Sequence, residues 1–263
     1  MQKLEPSMNG KFDTKGYDTD KPPHYMENYR RFLEPYENSP VSLLELGVYK
    51  GGSLLMWRDY LAQGTIVGLD SNPPVINDDS GRIHVYQGLQ QDTALLDRIR
   101  QETAPGGFDV IIDDASHLGD LTRISFQHLF DNHLKPGGIY VIEDWGAGYW
   151  DSWPDGSSYS PRRLNRAEKL AEALLTRKST CALGRKLRFS LALGLLSLET
   201  ARNIVLPRTT DHRFGMVGFV KELVDETAMN DITFPGLGIS PFRSSRIARL
   251  EISLGQVLVI KRR

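Results

Sequence analysis

Between residues 41 and 144 the chain repeats one pattern: a short β-rich apolar run ending in small or acidic residues, then a helical stretch. The runs are VSLLELG, TIVGLD, IHVYQG, FDVIIDD and GGIYVIED. Such runs alternating with helices predict a parallel sheet covered by helices on both faces. Open sheets of this kind bind ligands beyond the carboxyl ends of their strands. The acids of these runs lie at those ends. The chain closes with IARLEISLGQVLVIKRR, two β-rich runs about a short Leu-Gly turn, which predicts an antiparallel hairpin at a sheet edge.

Two regions stand outside this rhythm. Residues 1–40 are polar, with Tyr25, Tyr29, Phe32 and Tyr36 at helical spacing. That spacing predicts an N-terminal arm and helix packed on a domain spanning 41–263. Residues 159–198 are helical in pattern and basic, with nine Lys or Arg against two acids between 161 and 190. A solvated helix face with a buried seam is the plainer reading. The sharper one is a lid or oligomer contact, inserted within 150–246, that closes over a substrate.

The totals narrow the function classes. At 263 residues, one large α/β domain with additions is accommodated. Thirty-two Lys and Arg against 33 Asp and Glu leave a formal charge of −1, so no global field points to nucleic acid or membrane. The single cysteine, Cys181, excludes an internal disulfide and a cysteine-rich zinc site, and a reducing cytoplasm is the expected home. The N-terminus lacks an apolar signal region, and the apolar stretch 187–198 is too short to span a bilayer.

In LLELGVYKGGSLLMW, glycines 47, 51 and 52 sit between a strand and an apolar helix, where backbone can approach a ligand and free amides are available. The spacing is not GxGxxG, and Glu45 would repel a pyrophosphate, so a cationic ligand is favoured over a dinucleotide. Asp70 ends the next run and is placed to accept ribose hydroxyls. Gln90 and Asp92, after the third run, are placed to reach an adenine edge.

The fourth and fifth runs end in Asp113–Asp114 and Glu143–Asp144. Up to four converging carboxylates demand a cation. An all-oxygen set suits Mg²⁺, while the absence of clustered cysteines and histidines argues against zinc there. Neighbours on a strand face opposite sides, so Asp113 and Asp114 are not expected to share one metal. His117, three residues beyond Asp114, can face the same pocket and act as a general base. Tyr149, Trp150 and Trp153 follow as candidates for stacking on a sugar or an apolar aglycone, and packing under a loop would use them equally well. His24 and Tyr25 of the arm are further candidates for closing the site.

The ordered set Glu45, Gly47, Gly51, Asp70 and the later acids resembles the class I S-adenosylmethionine-dependent methyltransferases over about residues 41–145. The resemblance implies a Rossmann-like, mostly parallel seven-stranded sheet with helices on both faces and a C-terminal antiparallel hairpin. It implies S-adenosyl-L-methionine as cofactor, held by Glu45, Gly47, Lys50, Gly51, Ser53, Asp70, Gln90, Asp92 and Asp113. DDASH and IED, with TDKPPHY of the leader, further resemble the metal-dependent sugar O-methyltransferases of macrolide pathways, and a related group labelled cephalosporin hydroxylases. That likeness implies Asp114, Glu143 and Asp144 as ligands of Mg²⁺ or Mn²⁺, and His117, with Asp114, as the catalytic pair. It implies a small-molecule glycoside as substrate, a natural product or glycolipid, and a homo-oligomer without nucleic-acid partners. TDKPPHY departs from the family in lacking glycine after the lysine, and 150–246 carries no motif to align. Alternatives are transfer to a catechol-like or other vicinal diol, a non-catalytic cofactor-binding subunit, and a nicotinamide-dependent oxidoreductase.

Overall fold

The computed structural model describes residues 14, 16–158, 212–228 and 245–263, with a few single positions between 169 and 194. Two compact units divide the chain, residues 1–157 with 213–263 and residues 158–212. The basic segment 159–198, with its expected lid or oligomer contact, lies outside the described residues apart from those single positions.

The expected sheet is present in the larger unit. Seven strands, β1 (Ser42–Leu46), β2 (Thr65–Asp70), β3 (Ile83–Gln87), β4 (Phe108–Asp113), β5 (Leu134–Glu143), β6 (Ile247–Ile252) and β7 (Gln256–Lys261), lie in the order β3-β2-β1-β4-β5-β7-β6. The first five are parallel. β7 runs antiparallel to β5 and forms the expected hairpin with β6. The chain builds outward from β1 to β3 and then crosses to β4 on the other side of β1. The reversal opens a crevice at the carboxyl ends of β1 and β4.

Strand alternation divides the apolar residues between two layers. Leu44 and Leu46 of β1 face a cluster with Phe126, Leu129 and Phe130 of α4 (Gly119–Asn132), Ile99 of α3 (Thr93–Thr103) and Phe219 of a later helix, Gly215–Ala228. Leu43 faces the opposite cluster, with Trp57 of α2 (Gly52–Tyr60) and Tyr29 and Leu33 of α1 (Pro23–Leu33). Each fully buried side chain of this size contributes roughly 1.5–3 kcal/mol through removal from water. No helix among the described residues is long and apolar enough to cross a membrane.

The N-terminal arm forms its helix, but the buried stripe is Tyr25, Met26, Tyr29 and Leu33. Phe32 is only partly buried and Tyr36 lies in a following 3-10 turn, because Pro35 ends the regular helix. The leader before α1 lies over the β1–α2 turn: a Cβ on Gly52 would stand 2.4 Å from the Asp18 carbonyl.

Candidate active site

The crevice is a cleft of about 920 Å³ lined by the leader, the β1–α2 turn and the loops after β2, β3, β4 and β5. Gly47 shapes its floor, whereas Gly51, also expected there, is not among the lining residues. Gly47 has φ +86°, and a Cβ there would stand 2.1 Å from the Asp114 carbonyl oxygen, so only glycine lets the β1 and β4 loops meet. Gly51, with φ +85°, is the residue before α2. Among the described residues, the non-glycine positions with positive φ are Tyr49, His117 and Asp144, and all three line this cleft. Each such conformation costs about 1–3 kcal/mol and persists only where the surroundings enforce it.

Gly47, Lys50, Ser53, Asp70, Gln90, Asp114, His117, Glu143 and Asp144 reach the cleft as expected. Asp70 sits at the end of β2 and accepts the backbone N–H groups of Val48 at 2.8 Å, Tyr49 at 3.2 Å and Asn72 at 2.8 Å. Burial pushes its pKa up, but these amides outweigh burial and hold the carboxyl below the usual range. Lys50 pairs with Asp18 of the leader at 3.1 Å, half exposed at the mouth.

Four of the expected cofactor residues, Asp92, Gln90, Asp113 and Glu45, have local partners. Asp92 accepts from Leu95 N at 3.0 Å as the N-cap of α3, so its carboxylate serves the helix. Gln90 lines the cleft, yet its amide is engaged at both ends. Its Nε2 donates to Asp113 at 3.2 Å, and its Oε1 accepts Ser116 N at 3.0 Å, so it positions the loop carrying His117. Asp113 points away from the cleft into the layer beneath α4, where Ser125 and Tyr140 donate to it at 2.9 Å. Burial raises its pKa to about 6, against the opposing effect of the Tyr140 and Ser125 hydroxyls. Glu45 is fully buried, accepts Ser53 Oγ at 2.7 Å and pairs with Lys21 at 3.1 Å, so it presents no free charge to a cationic ligand.

Lys21, in the leader, is the residue that sequence reasoning passed over. Its Nζ lies 2.9 Å from Asp114, 2.7 Å from Glu143 and 3.1 Å from Glu45, with the side chain 2% exposed. Burial alone would favour a neutral amine, but the three carboxylates outweigh it and raise the pKa well above its ordinary value. Glu143 is further fixed by a hydrogen bond from the Tyr29 hydroxyl and is pushed up in pKa by burial and by Asp114. The quoted TDKPPHY contained the signal, since four acids with no partner require a cation and Lys21 stands in the one leader motif shared with the resemblance.

On the open side of this knot, Asp114, His117 and Asp144 can each direct one ligand atom to a common point, with those atoms within 4.8 Å of one another. His117 Nε2 is 3.9 Å from Asp144, while its Nδ1 is buried with no hydrogen-bond partner. Tyr25 donates to the other Asp144 oxygen at 2.6 Å, which brings the arm into the site as expected. Trp153 packs against the His117 ring at 5.7 Å and donates to Ser116 O at 3.0 Å. Tyr149 and Trp150 are largely exposed. The donors suit a small hard cation: Asp114 and Asp144 offer oxygens toward the cleft, whereas both Glu143 oxygens already have partners.

Comparison with known proteins agrees with this reading of the fold. No family model matches the chain. It is 44% identical over 162 residues to the mycinamicin VI 2''-O-methyltransferase of Micromonospora griseorubida, covering 58% of this chain and 39% of that protein. It is 38% identical over 135 residues to the demethylmacrocin O-methyltransferase of Streptomyces fradiae, covering 49% of this chain and 32% of that one. Among solved structures, the MycE methyltransferase of the mycinamycin pathway, in complex with Mg and S-adenosylhomocysteine (SAH), superposes with a TM-score of 0.60 at 28% identity, over 91% of this chain and 50% of that one. The resemblance to sugar O-methyltransferases and the methyltransferase fold are thus borne out. The chain spans about half or less of the length of these relatives.

Proposed function

We propose that this chain transfers the methyl group of S-adenosylmethionine to a sugar hydroxyl of a glycosylated small molecule, with Mg²⁺ in the acid cluster. The observation that carries the reading is the convergence of Asp114, His117 and Asp144 beside Asp70 and Gly47, in a chain 44% identical over 162 residues to a sugar O-methyltransferase. S-Adenosylmethionine supplies an electrophilic methyl group, and Mg²⁺ supplies a cation that acidifies and orients a hydroxyl.

The chain's own residues have separable tasks. Asp70, held ionised by three amides, binds a hydroxylated ligand at the end of β2. Asp114 and Asp144 hold the cation, with Glu143 behind them. His117 accepts the acceptor's hydroxyl proton, as its ring is fixed between Asp144 and Trp153. Gln90 keeps the His117 loop in register through Ser116. Trp150 and Tyr149, partly exposed after β5, offer faces for an aglycone or sugar.

Incubation with S-adenosylmethionine, Mg²⁺ and a panel of deoxysugar glycosides, read by mass spectrometry, tests the proposal. A product one methyl heavier, lost on chelation, is expected; no product with any glycoside, despite SAH binding, would overturn it. Lys21 favours a second reading, in which the internal ammonium supplies the positive charge. Transfer that survives chelation would select that reading.

A further inference from the structure

At the opposite end of the sheet, two histidines and an aspartate meet outside the site described above. Asp97 lies on α3, His128 on α4, and His133 is the residue that ends α4 before β5. The His133 carbonyl accepts the N–H of Phe108, the first residue of β4, which fixes the cluster at the amino ends of the strands. The cleft lies beyond their carboxyl ends, a strand length of roughly 17 Å away.

We propose that Asp97, His128 and His133 form a second metal site, for a borderline transition-metal ion such as Zn²⁺. Both rings direct the same atom to the same place: Nε2 of His128 lies 2.7 Å, and Nε2 of His133 2.6 Å, from one oxygen of Asp97. The two Nε2 atoms are 3.3 Å apart, with the rings edge to face at 5.0 Å. Two nitrogens bound tetrahedrally to zinc at about 2.0–2.1 Å stand roughly 3.3 Å apart, so the histidines already have ligand spacing. The carboxylate must withdraw by about 0.6 Å to reach the same spacing. Asp97 is free to do so, being 46% exposed, whereas the histidine side chains are 20% and 10% exposed and held by their helix.

The donor set also separates this site from the acid cluster. Two imidazole nitrogens with one carboxylate favour zinc-like ions, whereas the cleft cluster, with two carboxylates and only His117, is richer in oxygen and suits Mg²⁺ better. One open side, where Asp97 meets solvent, leaves room for water as a further ligand. Bound there, the ion would tie α3 to the α4–β5 junction.

Zn²⁺ uptake by the whole protein in excess Mg²⁺, followed by calorimetry, and Co²⁺ uptake, followed by visible absorption, test the proposal. One equivalent of Zn²⁺ is expected to bind the native chain and Asp114→Asn alike. Affinity should fall roughly tenfold or more in His128→Gln and in His133→Ala. If His133→Ala does not fold, His128→Gln and Asp97→Asn decide the matter, since both side chains are nearer the surface. No Zn²⁺ uptake by the native chain, or uptake unchanged in His128→Gln, would overturn the assignment.

Discussion

Asp113 and Asp114 are neighbours in sequence and opposites in environment. Asp113 turns into the layer under α4 and receives only neutral donors, the Ser125 and Tyr140 hydroxyls and the Gln90 amide. Asp114 turns toward the cleft, where Lys21 holds it together with Glu143 and Glu45. The peptide between them carries a strand from core to site. Burial without a formal positive partner raises the Asp113 pKa, whereas Asp114 lies 2.9 Å from the Lys21 ammonium. The pair teaches that acids at a strand end need not share an environment: one braces the loop from the core and the other faces the cleft.

The largest effect that could break this contrast lies in turnover. His117→Ala should lower kcat roughly 10²–10⁴-fold while SAH binding is unchanged, since the ring acts on a proton. Titration calorimetry beside a methyl-transfer assay checks both, and unaltered kcat would remove His117 from the mechanism. Next comes Lys21→Met, which leaves buried carboxylates without their ammonium. Unfolding in urea should show a loss of about 3–5 kcal/mol, partly restored by saturating Mg²⁺. A loss below about 1 kcal/mol would place Lys21 with ordinary exposed ion pairs.

The Asp113 side gives a smaller, pH-dependent effect. Its folded pKa of about 6 lies above the ordinary 3.8, so between these values the native chain holds more protons than the unfolded one. Its stabilising contribution is therefore complete below the unfolded value and is lost as pH rises through about 6, by on the order of 3 kcal/mol. In chelator, Asp113→Asn should flatten that slope relative to the native chain; an identical slope would show that Asp113 is ionised throughout. The smallest effect concerns Asp155, which accepts the N–H of Gly119 at 2.9 Å and of Met216 at 2.7 Å. Asp155→Ala should lower stability by about 0.5–2 kcal/mol by uncapping two helices, measurable by thermal denaturation.

What was legible in the sequence followed from period and position. The five parallel strands read correctly because buried runs such as FDVIID carry their pattern within six residues. The opposite facing of Asp113 and Asp114 followed from strand geometry alone. Lys21 was legible only as a member of TDKPPHY, because its partners lie up to 122 positions away and its contacts are made by tertiary packing. Gln90 reaches the cleft and Asp92 does not line it, and a loop brace and a helix cap engage their hydrogen-bonding groups. His128 and His133 drew no notice because Asp97, which completes the cluster, stands on a different helix.

On the proposed reading, the Asp114 side of this strand end holds a catalytic divalent cation and the Asp113 side does not. Electron paramagnetic resonance of Mn²⁺ titrated into the native chain, Asp114→Asn and Asp113→Asn, each with SAH present, tests it most directly. Carrying out each titration in a His128→Gln background keeps the histidine cluster from contributing. Specific Mn²⁺ binding is expected, lost in Asp114→Asn and retained in Asp113→Asn. Equal binding in all three proteins would contradict it.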